Sequence, residues 1–241
     1  MSPRTWLVDE IIPANALVSI HGDQGAGKST LVEDLAACIA FGNRFLGLAV
    51  EQGSVIYDST DASSRAIQRL NFWRDTHDVT GSGHKVMMFS ASESGQVDGM
   101  PISAAVNHLR GVLSDHGLSM PSLVVFDGVN PGIGAADMAV LNEFLVGVRE
   151  KVPVTVILVH RARCSQALRD AIDVEYRFTN HGGAIRMSCL RMRGAPKPEP
   201  LTFQLMRAEK LSMEPGDFSH ESAVYVVRTS RKPAPDAEVA A

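Results

Sequence analysis

The stretch "VSIHGDQGAGKST", residues 18–30, sets a glycine-rich turn between an apolar run and the start of a helical pattern. From Gly22 to Ser29 it fits the spacing G-x-x-x-x-G-K-[ST]. In that spacing Gly22, Gly25 and Gly27 let the backbone curl through Asp23, Gln24 and Ala26, so that successive N–H groups face one point. The helix N-terminus behind the turn favours an anion at the same point. Lys28 is placed to reach the β- and γ-phosphates of a nucleotide, Ser29 to ligate Mg²⁺, and Thr30 to meet the α-phosphate.

Working outward, short apolar runs alternate with helical patterns. "LVSIHG" (17–22), "SVIYDS" (54–59), "VMMFS" (86–90), "LVVFDG" (123–128) and "VTVILVH" (154–160) are continuous, as strands buried on both faces are. Between them, "STLVEDLAACIAFG", "SSRAIQRLNFWRD", "ISAAVNHLRGVLSDHG" and "MAVLNEFLVGVREK" carry apolar residues at i, i+3, i+4 spacing. This alternation predicts an α/β fold with a mainly parallel twisted sheet flanked by helices. After residue 173, "VEYRFTN", "AIRMSCLR", "LTFQLMRA" and "SAVYVVR" read as an antiparallel extension of the same sheet. The expected organisation is one domain over 1–228, with 229–241 a disordered tail.

The bulk composition narrows the function. A net charge of −4 argues against nucleic-acid binding over the whole surface and leaves room for a local basic patch. Cys38, Cys164 and Cys189 are widely spread with no CxxC, which reads as reduced thiols in a cytoplasmic protein. No run of eighteen apolar residues and no basic leader with an apolar core is present, so neither a membrane span nor an export signal is expected.

Several polar residues fall where chemistry is expected. Asp127 ends a buried strand, at the sheet edge where open α/β sheets bind ligands, and is a candidate Mg²⁺ ligand. His160 ends the next strand and could contact a γ-phosphate. Asp58 and Asp61 stand at the tip of the second strand, where one could orient an attacking water, although Asp61 could equally cap the helix beginning near Ser63. Between His160 and Lys197 seven Arg and one Lys face three acidic residues, an excess of five charges. This basic segment, with Arg191 and Arg193 on one strand face, could meet nucleic acid or serve a neighbouring subunit's nucleotide.

In their order, these elements over residues 6 to about 207 resemble the RecA-fold ATPases, most closely plasmid RepA-type hexameric helicases and related phage and plasmid AAA ATPases. The resemblance implies ATP and Mg²⁺ bound between subunits of a homo-oligomeric ring, a hexamer first among the options. It places Asp61 where the family has a catalytic Glu, and His160 at the γ-phosphate sensor. Arg193, in "RMRG", stands at an arginine that reaches the adjacent site, with Arg191 in place of a Lys. Three departures stand out: Asp61 is one methylene shorter than Glu, Gly128 replaces a hydroxyl residue, and "RARCSQALRD" is short for a channel-lining stretch.

The expected function is therefore an ATP-hydrolysing motor, a DNA helicase or translocase in plasmid or phage replication. Arg161 and Arg163 would hold single-stranded DNA by its backbone. The alternative is a slow or DNA-independent regulatory or assembly ATPase. A small-molecule kinase would need an arginine-bearing lid, and no compact lid is evident between the fourth and fifth strands.

Overall fold

A computed structural model describes residues 5–59, 63–77, 86–90, 101–115, 121–130, 132, 134–149, 153–211 and 220–228. In chain order the elements are β1 (Trp6–Val8), β2 (Ile12–Pro13), β3 (Leu17–Gly22), α1 (Lys28–Phe41), β4 (Val55–Ser59), α2 (Ser63–Thr76), β5 (Val86–Ser90) and α3 (Ile102–Asp115). There follow β6 (Leu123–Asp127), α4 (Ala135–Arg149), β7 (Thr155–His160), α5 (Gln166–Ala171), β8 (Val174–His181), β9 (Ala184–Met192), β10 (Leu201–Leu211) and β11 (His220–Arg228). β1 and β2 form a small antiparallel pair. The other nine strands among the described residues form one sheet in the order β11-β10-β9-β8-β3-β7-β6-β4-β5.

The strands expected from continuous apolar runs pair in parallel, and β3 lies between β7 and β8. Alternate residues of each run point to opposite faces, which is why the runs are unbroken. Leu17, Val156 and Leu158 enter one core, while Val18, Ile20, Ile157 and Val159 enter the other. The first core is closed by α3, α4 and α5 through Val106, Leu109, Leu141, Phe144 and Leu168. The second is closed by α1 through Leu31, Val32, Leu35 and Ile39. Burying each large apolar side chain contributes about 1.5–3 kcal/mol, so β3 is held from both sides and fixes the start of the turn after Gly22.

Helix α1 is buried along the whole run from Leu35 to Ala40, on more than one face. The reason is that β11, the edge strand of the nine-stranded sheet, also packs against α1 and α2. A helix so enclosed has little need of polar residues, and its sequence "LAACIA" reflects that.

One expectation is corrected. The segment beginning at Val174 was expected to open an antiparallel extension, but β8 pairs in parallel with β3, from Val18↔Val174 to Gly22↔Phe178. The antiparallel part begins at β9. The cause is α5, which carries the chain from β7 across β3. Its six residues are too short to show a helical period in sequence.

Candidate nucleotide site

Gly22 closes β3 with φ +155°, and a Cβ there would lie 2.5 Å from the Phe178 carbonyl oxygen on β8. Only glycine permits that approach. Gly27 has φ +78°, and a Cβ would meet Ile185 Cδ1 at 2.5 Å. Asp23, Gln24 and Gly25 form the exposed tip of the turn, while Ala26 is buried beneath it. Gly27 is the N-cap residue of α1; no side chain caps the helix and no acidic residue occupies its first turn. The first-turn amides around Ser29 and Thr30, with the positive end of the helix dipole, therefore face the turn without a side-chain acceptor.

Lys28 closes the turn from within: its Nζ donates to the carbonyl oxygens of Gly22 (2.6 Å) and Asp23 (2.7 Å). Burial lowers its pKa; the Asp127 carboxylate opposes that shift, and the Arg161 guanidinium adds to it.

Asp127, at the end of β6, is buried. The Tyr57 hydroxyl on β4 donates to its Oδ2 at 2.7 Å, and the Ser29 side chain also hydrogen-bonds the carboxylate. Burial raises the pKa of Asp127, while Tyr57, Ser29, Lys28 and Arg69 pull it back. Ser29 and Asp127 thus set a hydroxyl and a carboxylate side by side, a hard-oxygen donor set suited to Mg²⁺. Among the described residues no three His, Cys, Asp or Glu side chains gather into a metal cage. A cation here would complete its shell with phosphate oxygens and water, which is how Mg²⁺ is ordinarily held. The residues present fit a magnesium-bound nucleotide.

The departure at Gly128 has a backbone cause. Its φ is +90°, and its N–H and that of Val129 both donate to the Val159 carbonyl oxygen at 3.0 and 3.2 Å. The chain must turn sharply as soon as Asp127 is in place, in a conformation that side chains rarely adopt.

His160 is 1% exposed, with Nε2 2.8 Å from the Ser19 hydroxyl and Nδ1 facing the Ala162 carbonyl oxygen. Burial lowers its pKa to about 4, so the ring is neutral. Asp58 is buried and, by strand alternation, faces away from the Tyr57–Asp127 side of the sheet. Asp61 lies outside the described residues.

Arg191 and Arg193 sit at the other end of the sheet. Arg193 N–H donates to the Asp173 carbonyl oxygen, level with Leu17, five residues before Gly22. At the rise of a strand this places it about 16 Å from the turn. The Arg193 guanidinium lies 3.7 Å from Asp173 Oδ1 and donates to the Asp170 carbonyl oxygen, and Arg191 donates to that of Arg169. Neither residue reaches its own chain's turn.

A basic cavity of about 530 Å³ adjoins the turn, lined by His21, Gly22, Asp23, Arg161, Arg163 and Arg177 among others. Beneath it the buried Glu175 carboxylate lies 3.3 Å from both Arg163 Nε and His21 Nε2. Sequence reading missed Tyr57, His21 and Glu175, because each sits inside a strand run where nothing marks it off from core.

A mainly parallel sheet with an amide-lined turn after its central strand, and a Ser–Asp pair beside an internal lysine, defines a P-loop nucleotide-binding protein. The sheet has the RecA-like fold: the crystal structure of the RadB recombinase matches with a TM-score of 0.53 at 17% identity, over 80% of this chain and 88% of that one. The AAA domain family model matches residues 1–167, and the chain belongs to that family. No curated protein matches the sequence. The RadB likeness shows the fold alone, and 231 solved chains match, so the fold does not select an activity. Among the described residues no helix is long and apolar enough to cross a membrane.

Proposed function

We propose that the chain is an ATP-hydrolysing motor that acts on DNA, a helicase or translocase of plasmid or phage replication. The observation that carries this reading is the convergence of Lys28 and the Ser29–Asp127 pair on an uncapped helix start. Bound Mg²⁺–ATP supplies the γ-phosphoryl group whose cleavage drives the motor. Residues Gly22 to Thr30 cradle the phosphates, Lys28 neutralises charge, and Ser29 and Asp127 hold the cation. Asp61 orients the attacking water. Arg193, with Arg191, acts on the neighbouring subunit's nucleotide, which requires a homo-oligomer, a ring of six in this reading.

The DNA-facing part rests on Arg161, Arg163 and Arg177 lining one cavity beside the turn. Phosphate backbones are the natural partners of such a cluster, and the matched RadB structure is that of a recombinase. The retention of Arg193 by Asp173 and Asp170 favours a second reading, a slow regulatory ATPase that moves no DNA.

Turnover measured with and without single-stranded DNA separates the two, for the parent and for Lys28→Ala. Stimulation of several-fold, abolished in the variant, is the outcome expected of the motor. Turnover indifferent to DNA supports the regulatory ATPase. No affinity for Mg²⁺–ATP in the parent removes both.

A further inference from the structure

The C-terminal tips of β3 and β7 lie side by side, with His21 and His160 as cross-strand partners. Their rings stack at 5.9 Å between centroids. His160 Nδ1 faces the carbonyl oxygen of Ala162, two residues further on. A carbonyl can only accept, so Nδ1 carries the proton. In a neutral ring Nε2 is then an acceptor, and the Ser19 hydroxyl 2.8 Å away donates to it. Both nitrogens are thus engaged by the protein, in a ring that is 1% exposed. A phosphate oxygen also only accepts, so a ring in this state has no proton to offer it.

We propose that His160 is a positioning residue: through its Nδ1–H bond to Ala162 it holds Arg161 and Arg163 as the wall of the basic cavity, and it does not meet the terminal phosphate. Ala162 separates the two arginines, so fixing its carbonyl fixes the direction in which both leave the strand end. The arrangement also links two functions through one stack. His21 precedes the first glycine of the turn, and His160 precedes the first arginine of the wall. The inference rests on the nucleotide-binding reading only for the ligand-bound half of its test.

Nitrogen NMR of ¹⁵N-histidine-labelled protein, alone and with Mg²⁺ and a non-hydrolysable ATP analogue, reads the tautomer directly. The expected result is an Nδ1-protonated His160 in both states. A proton on Nε2, in either state, overturns the proposal. If the parent fails to bind the analogue, the nucleotide reading falls, while the ligand-free spectrum still decides this one.

Two variants provide an independent reading. His160→Asn keeps an amide N–H near Nδ1, whereas His160→Gln carries its amide to the region of Nε2. Limited trypsin digestion reports the order of the wall, because Arg161 and Arg163 are themselves cleavage sites. His160→Asn is expected to cut there at about the parent rate and His160→Gln about tenfold faster, the loss of one buried hydrogen bond, with other sites unchanged. Equal rates in the two variants, or the reverse order, would show that the Nδ1 bond does not hold this segment.

Discussion

The Tyr57 hydroxyl donates a 2.7 Å hydrogen bond to Oδ2 of Asp127, tying the middle of β4 to the carboxylate that ends β6. The carboxylate is buried, and burial already raises its pKa. Tyr57→Phe removes one of its donors at a cost of about 1–3 kcal/mol and lets the pKa climb further. A lower urea midpoint is expected. The pH needed for Mg²⁺-dependent nucleotide binding should also rise, since the cation competes with a proton on Asp127. Magnesium titrations at pH 6 and pH 8 check this; identical curves for parent and variant at both would separate Tyr57 from the cation site.

The three glycines of the turn differ in what an alanine would meet. At Gly22 and Gly27 a Cβ would lie 2.5 Å from Phe178 O and Ile185 Cδ1, while at Gly25 nothing lies within 4 Å. Gly25→Ala bears only its positive φ, about 1–2 kcal/mol. Gly22→Ala adds a clash with backbone that cannot yield, so it should cost clearly more than Gly25→Ala. Gly27→Ala should fall between, because an isoleucine methyl can move. Chemical denaturation of the three variants tests that order.

Two groups, the buried His160 and the half-buried Asp34, give stability opposite slopes with pH. His160 falls from an ordinary 6.5 to about 4, so between those values the unfolded chain binds the proton and the folded one does not. Its contribution is complete above pH 6.5 and lost as the pH falls towards 4, about 3 kcal/mol in all. Asp34 rises from 3.8 to about 6 through burial, against the 2.6 Å bond it accepts from Trp73 Nε1. There the folded chain holds the proton, so stability is lost as the pH rises from 3.8 to 6. Asn keeps an acceptor for Trp73, so Asp34→Asn should gain on the parent by about 3 kcal/mol at pH 8 relative to pH 4. A difference that stays constant with pH would assign no such titration to Asp34.

Arg193, beside Asp173 and remote from its own turn, can serve catalysis only at a neighbour's nucleotide. Arg193→Ala is expected to keep ATP affinity within about twofold while turnover falls about 10³-fold, as for other arginines supplied in trans. Mixing it with Lys28→Ala subunits should recover part of the activity, because some interfaces then combine an intact turn with an intact arginine. Unchanged turnover in Arg193→Ala would remove the trans role.

Much of this architecture is legible in the amino-acid sequence. The apolar runs at 17–22, 86–90 and 123–128 became β3, β5 and β6 almost residue for residue, since strands buried on both faces leave no room for polar interruption. The helix after the turn was equally plain. The parallel course of β8 was hidden, because pairing direction depends on a six-residue α5 with no readable period. The engagement of His160 was hidden too, because its partner Ser19 lies 141 residues earlier in the chain.

By itself the sequence determined what local sterics and periodicity control: a turn that only glycine can make, a lysine and serine just inside a helix, and runs that must be interior strands. Tertiary structure alone decided which strand tips became neighbours. That choice set Tyr57 on Asp127, Ser19 on His160 and Glu175 under Arg163, and it sent Arg193 to the far end of the sheet. The physical reason is that a strand's period of two assigns a side chain to a face, whereas the order of strands, set by how helices cover both faces, assigns it a partner.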